Sequence, residues 1–146
     1  MDKVLEDLKK LKNVYYETEE CKMGDELTAT LRLLTSEEET DTHAYSSKYE
    51  QGIAYLYSVK RETLARAIVE LNGNKIPEFL NDEKDAKIQR HIWLRENVLK
   101  GWSQVLIDEM WQKYANLLVR MEQKIGASIQ KEDNVTKESN HGKKQV

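Results

Sequence analysis

Cysteine occurs once, as Cys21, so the chain can form no internal disulfide, and a single thiol suits a reducing compartment. The few glycines are isolated from one another (Gly24, Gly52, Gly73 and Gly101 among them), so no glycine-rich loop is available to cradle a phosphate. No serine stands in a Gly-x-Ser-x-Gly elbow. His43, His91 and His141 lie far from each other and from Cys21, without the short ligand spacings of a zinc site. No apolar run is long enough to span a bilayer, and the start MDKVLEDLKKLK is too charged for a signal peptide. A net charge of −3 lacks the clustered positive excess of a nucleic-acid binder. These absences point away from an enzyme, a metal or cofactor protein, and a membrane protein.

What is present is charge and helical periodicity. Apolar residues make up 39 % of the 146 residues and charged ones 34 %, which fits amphipathic helices with charged outer faces and a solvated tail. Val4, Leu5, Leu8 and Leu11 form one helical stripe behind Asp2. Val14, Tyr15 and Tyr16 open a β-rich run. In LTATLRLL, Leu27, Ala29, Leu31 and Leu33 alternate with Thr28, Thr30 and Arg32, the period of a strand buried on one side. Met23-Gly24-Asp25 supplies the turn of a β-hairpin between the two runs.

Ser36 followed by Glu39 matches a capping box, so a helix should begin there, with THAYSS at 42–47 a weak stretch. Residues 48–72 predict a long helix through Ile53, Leu56, Tyr57, Leu64, Ala67, Ile68 and Leu71, interrupted near Lys60 and ended by Asn72-Gly73. Pro77 favours an extended Ile76 and a short third strand against the hairpin. A further helix is expected over 82–100, opened by Asn81 or Asp82. Another is expected over 104–125, capped by Ser103, with a stripe through Ile107, Trp111, Tyr114, Leu118, Met121 and Ile125, widened by Leu106, Met110 and Leu117.

The expected architecture is α+β and mainly helical: an N-terminal hairpin packed on a bundle of three to four helices, one globular domain over 1–125, and a disordered polar tail over 126–146. Leu64 and Ile68 should pack on the face formed by Leu31 and Leu33.

No catalytic constellation emerges, so the expected function is binding. Trp93, Trp102 and Trp111 crowd into nineteen residues. Trp111 falls on the stripe, which favours core packing for it, while for Trp102, beside the break at Gly101, core packing and partner contact weigh evenly. The last helices hold more large apolar side chains than one stripe needs, which places the expected partner-binding surface at Trp102, Met110 and Trp111.

The order of hairpin, acid-capped helix and a helix carrying YSVKRETLARAIVELNG resembles the tail and baseplate assembly chaperones of long-tailed bacteriophages. The matching residues are Leu31 to Glu39, Glu62 to Gly73 and Val105 to Tyr114, within a span of about 27 to 120. The amphipathic start and the crowded tryptophans depart from that pattern. The resemblance implies a non-enzymatic module without cofactors that binds another phage tail or baseplate protein, in the host cytoplasm or in the virion. It supplies no active-site residues. A permanent structural component of the particle and a helical nucleic-acid-binding regulator are the alternatives.

Overall fold

The computed structural model describes residues 2–10, 17–50 and 52–144, with side chains as far as Ala127. Leu11, Val14, Tyr15 and Tyr16, which the sequence places in the first helix and at the start of the hairpin, lie outside the described residues. The described residues form an α+β fold with five α-helices, a four-stranded antiparallel sheet and a smaller two-stranded sheet.

Helix α1 spans Asp2–Lys10. The hairpin follows as β1 (Thr18–Met23) and β2 (Leu27–Arg32), with Cys21 opposite Ala29 and Glu19 opposite Leu31. Gly24 takes the positive φ of +64° that the tight turn requires. The alternation seen in the sequence holds: Ala29 and Leu31 are fully buried, joined by Cys21 and Met23 from β1.

Helix α2 spans Ser36–Ser46, and its cap sits one residue earlier than the sequence suggests. Thr35 Oγ1 accepts the Glu38 N–H, and the Glu38 carboxylate accepts the Thr35 N–H. The reciprocal pair leaves THAYS inside the helix rather than breaking it.

The expected long helix over 48–72 divides into two elements. Helix α3 runs Ile53–Ala67, and β3 (Ile68–Leu71) continues from it without a loop. Two sequence grammars overlap here. Ile68 and Leu71 fit a helical stripe, yet the β-branched pair Ile68-Val69 also suits a strand. Asn72 (φ +50°) and Gly73 (φ +77°) both have positive φ, so Asn-Gly makes a two-residue hairpin turn rather than a helix end. That turn leads to β4 (Asn74–Lys75). Strand β3 also pairs with β2, where a bulge lies between Thr30 and Leu31 and Leu31 stands opposite Ile68. Ile68 therefore neighbours Leu31 within the sheet instead of packing on it from a helix. Leu64 does join Leu31 in the core, from α3. The extra strand against the hairpin is β3, one element earlier than the expected strand at Ile76.

The helix expected over 82–100 is also shorter. A second hairpin, β5 (Phe79–Asn81) and β6 (Lys87–Gln89), precedes α4 (Arg90–Asn97). Asp82 acts as a local cap, but of a turn: its carboxylate accepts the N–H groups of Lys84 and Ala86. A 3-10 turn at Leu99–Gly101 joins α4 to α5 (Gln104–Lys144), which Ser103 caps through the Leu106 N–H.

Helix α5 lies along the hairpin edge. Its Arg120 and Lys124 pair with Glu19 and Glu17, and Tyr114 Oη accepts the Leu34 N–H. Its backbone stays helical through Lys144, beyond the Ile125 end read from the sequence. Residues 126–144 contain no proline, and Gln, Lys and Glu are adequate helix formers.

Candidate partner-binding surface and a charged cleft

The expected surface at Trp102, Met110 and Trp111 is not one exposed patch. Met110 is fully buried in the core, while Trp102 and Trp111 are half-buried and pack against that core. Trp111 stacks on Tyr114 at 5.7 Å between ring centroids. The reason lies in a choice between two rows of α5. Ile107, Tyr114 and Met121 belong to both. Trp111 and Leu118 complete one row and Met110 and Leu117, which widen the stripe in the sequence, complete the other; the fold buries the second. Both rows alternate spacings of three and four, so periodicity alone does not separate them.

Exposed apolar side chains lie on several elements, among them Val105, Val119 and Ile125 of α5 and Phe79 of β5. On α1, Val4, Leu5 and Leu8 are each more than half exposed. On α3, Ile53 is 63 % exposed, Leu56 56 % and Tyr57 36 %. These are the residues that begin the long stripe in the sequence, and the fold turns them outward. Lys60, one turn further along the same row, reaches Asp108 of α5 at 3.0 Å. Its place on the apolar row was the available signal that this row meets solvent.

The opposite side of α3 is buried and polar. Ser58 Oγ lies 2.9 Å from Ser46 Oγ of α2. One turn along each helix from that pair are Glu62 and Thr42, both buried. Glu62 Oε1 accepts from Arg95 Nη1 of α4 at 2.6 Å and from Arg66 Nη1 at 3.4 Å. Arg95 also lies over the Tyr45 ring at 4.2 Å and bonds Glu96 through Nε at 3.1 Å. This Arg–Glu–Arg triad ties α2, α3 and α4 together. It leaves Glu62 Oε2 and Thr42 Oγ1 without hydrogen-bond partners among the described residues. The triad is hidden in the sequence because an acid and a base four residues apart on a helix are ordinarily a solvent-exposed pair, and Arg95 joins them only through the fold.

The polar seam opens into a cleft of about 370 Å³ between α2, the second hairpin and α4. Arg66, only 6 % exposed, lines its deep part. Half-buried Arg32, Glu38, Arg90 and His91 form the walls, and exposed Glu37, Asp41 and Glu78 line it further out. Arg32 grips Glu38 with two hydrogen bonds, of 2.7 and 2.5 Å. Burial works against the Glu38 charge, but the bonds from Arg32 and Thr35 prevail and hold its carboxyl below the usual range. Burial, reinforced by Arg66 and Arg95, pushes the His91 imidazole down to about 4, so it is neutral at pH 7. Burial and nearby Glu19 raise the Cys21 thiol to about 11, which keeps it protonated and unreactive.

Among the described residues, no helix is long and apolar enough to cross a membrane. Comparison with known protein families, curated proteins and solved structures finds no match to this chain.

Proposed function

We propose that the chain is a non-enzymatic protein-binding module of bacteriophage tail or baseplate assembly. One observation carries the binding part: Ile53, Leu56 and Tyr57 form an exposed apolar row on α3, although polar residues of the same helix are buried. A contiguous apolar surface rimmed by charge is the usual mark of an interaction site. Lys60 and Arg61 flank the row. The contact surface is therefore assigned to α3 and not to Trp102, Met110 and Trp111. The phage part rests on the resemblance at Leu31 to Glu39, Glu62 to Gly73 and Val105 to Tyr114.

The test is capture of partners from phage-infected cells by the parent chain and by an Ile53→Ser/Leu56→Ser variant, with a melt of each. Capture of a tail or baseplate protein, lost in a variant that melts like the parent, supports the proposal. Undiminished capture removes the row from the interface, and capture of only non-phage proteins removes the phage assignment. Mass spectrometry of purified particles then separates an assembly factor, absent from them, from a permanent component.

A further inference from the structure

The cleft beside α2 has its charges sorted by depth. The most buried charged residue of its lining is cationic: Arg66 spends Nη1 on the Glu62 carbonyl and carboxylate. Its Nε and Nη2 have no hydrogen-bond partner among the described residues, and neither is a fully buried orphan. Arg66 lines the cleft, and Nε and Nη2 are the donors it retains for a ligand. Arg90, in the wall, already donates to the Ile76 carbonyl at 3.0 Å. Arg32 and Glu38, also in the wall, pair with each other. Further out, Glu37, Asp41 and Glu78 form no ion pair among the described residues, so the outer part is negative.

A simple anion meets repulsion on the way in, and a simple cation meets Arg66 at the bottom. Complementarity requires a ligand of both signs, with its anionic end inward. A guanidinium recognises a carboxylate through paired N–H donors, which suits Arg66 to that end. The volume of about 370 Å³ lies at the small end of the roughly 300–1,000 Å³ usual for small-ligand sites.

We propose that this cleft binds a carboxylate whose carrier holds a positive charge a few bonds away, as in a dipolar amino acid or the basic C-terminal residue of a peptide. The carboxylate sits on Arg66, and the cationic group meets Asp41, Glu37 and Glu78. This site is separate from the apolar row on α3, and its failure would leave the docking proposal standing.

The experiment is calorimetry on the full chain with four probes: free L-arginine, its decarboxylated analogue agmatine, an N-acetylated peptide ending in arginine, and the C-terminal amide of that peptide. The carboxylate-bearing probes should bind at least about tenfold more tightly than their carboxylate-free counterparts, as expected for a charge-assisted pair. Binding of both free arginine and the acid peptide shows a site for the dipolar end group itself. Binding of the peptide alone assigns the ligand to a chain terminus, and binding of arginine alone assigns it to a free amino acid. Arg66→Gln should abolish binding. Because Arg66 also supports Glu62, exposed Asp41→Asn provides a second variant, which should weaken binding several-fold without moving the melt. The proposal is overturned if no carboxylate probe binds, if agmatine and the amide bind equally well, or if Asp41→Asn binds like the parent.

Discussion

Helices α3 and α5 carry apolar stripes of similar appearance, and the fold treats them in opposite ways. On α5, Ile107, Met110, Tyr114, Leu117 and Met121 face the core. On the first half of α3 the apolar row of Ile53, Leu56 and Tyr57 is exposed, while Ser58 and Glu62 are buried. An apolar stripe marks a face that needs a partner; whether that partner is the same chain depends on what the other faces can satisfy. On α3, Glu62 finds Arg66 and Arg95, and Ser58 finds Ser46, so a polar face can be interior.

The contrast breaks most visibly at Glu62. Glu62→Ala leaves Arg66 and Arg95 without their shared carboxylate and should cost about 3–5 kcal/mol in denaturant melts, the range for breaking a buried ion pair. A neutral result would make the seam a solvated surface. On the apolar side, Leu64→Ala on α3 and Met110→Ala on α5 should each cost about 2–5 kcal/mol. A stable Met110→Ala would return Met110 to the list of contact candidates.

His91 sharpens the account of the polar region through pH. Its folded pKa of about 4 lies below the ordinary 6.5, so between these values the unfolded chain binds the additional proton. Its contribution to stability is complete above about pH 6.5, is lost as pH falls toward 4, and changes no further below that. Allowing for the partial solvent screening of a half-buried ring, the loss should be about 1–2 kcal/mol, and His91→Gln should flatten the stability profile in that window. Loss of stability confined to lower pH in the parent would point to carboxylates such as Glu38 instead. The smallest expected effect is at Cys21: its buried, protonated thiol should resist alkylation in the folded protein and react only on unfolding.

The first hairpin was legible because period-2 alternation in LTATLR has no helical equivalent, and Gly24 marked its turn. The start of α2 and the Ser103 cap were legible because a cap is local chemistry. The end of α3 was not: Ile68 and Leu71 keep the helical period while the β-branched pair Ile68-Val69 suits a strand, and Asn72-Gly73 serves as a helix end or a hairpin turn according to what pairs with it. Only the β2–β3 ladder, about forty residues apart in sequence, resolves that choice. The cleft was illegible for the same reason, since Arg32, Asp41, Arg66, Glu78 and Arg90 come together only through tertiary packing. The interruption of the α3 row by Lys60 was the one local hint, and it marked the row as surface.

The central claim is that hydropathy is inverted along α3 from Ile53 to Glu62, with Ser58 and Glu62 interior and Ile53, Leu56 and Tyr57 exterior. Urea melts of Ile53→Ser/Leu56→Ser and of Glu62→Ala, run beside the parent chain, test it most directly. The account predicts that the double apolar variant keeps the parent's stability to within about 1 kcal/mol, as surface substitutions do, while removal of one carboxylate costs about 3–5 kcal/mol. The reverse ranking, with a large loss from Ile53 and Leu56 and little from Glu62, would contradict it.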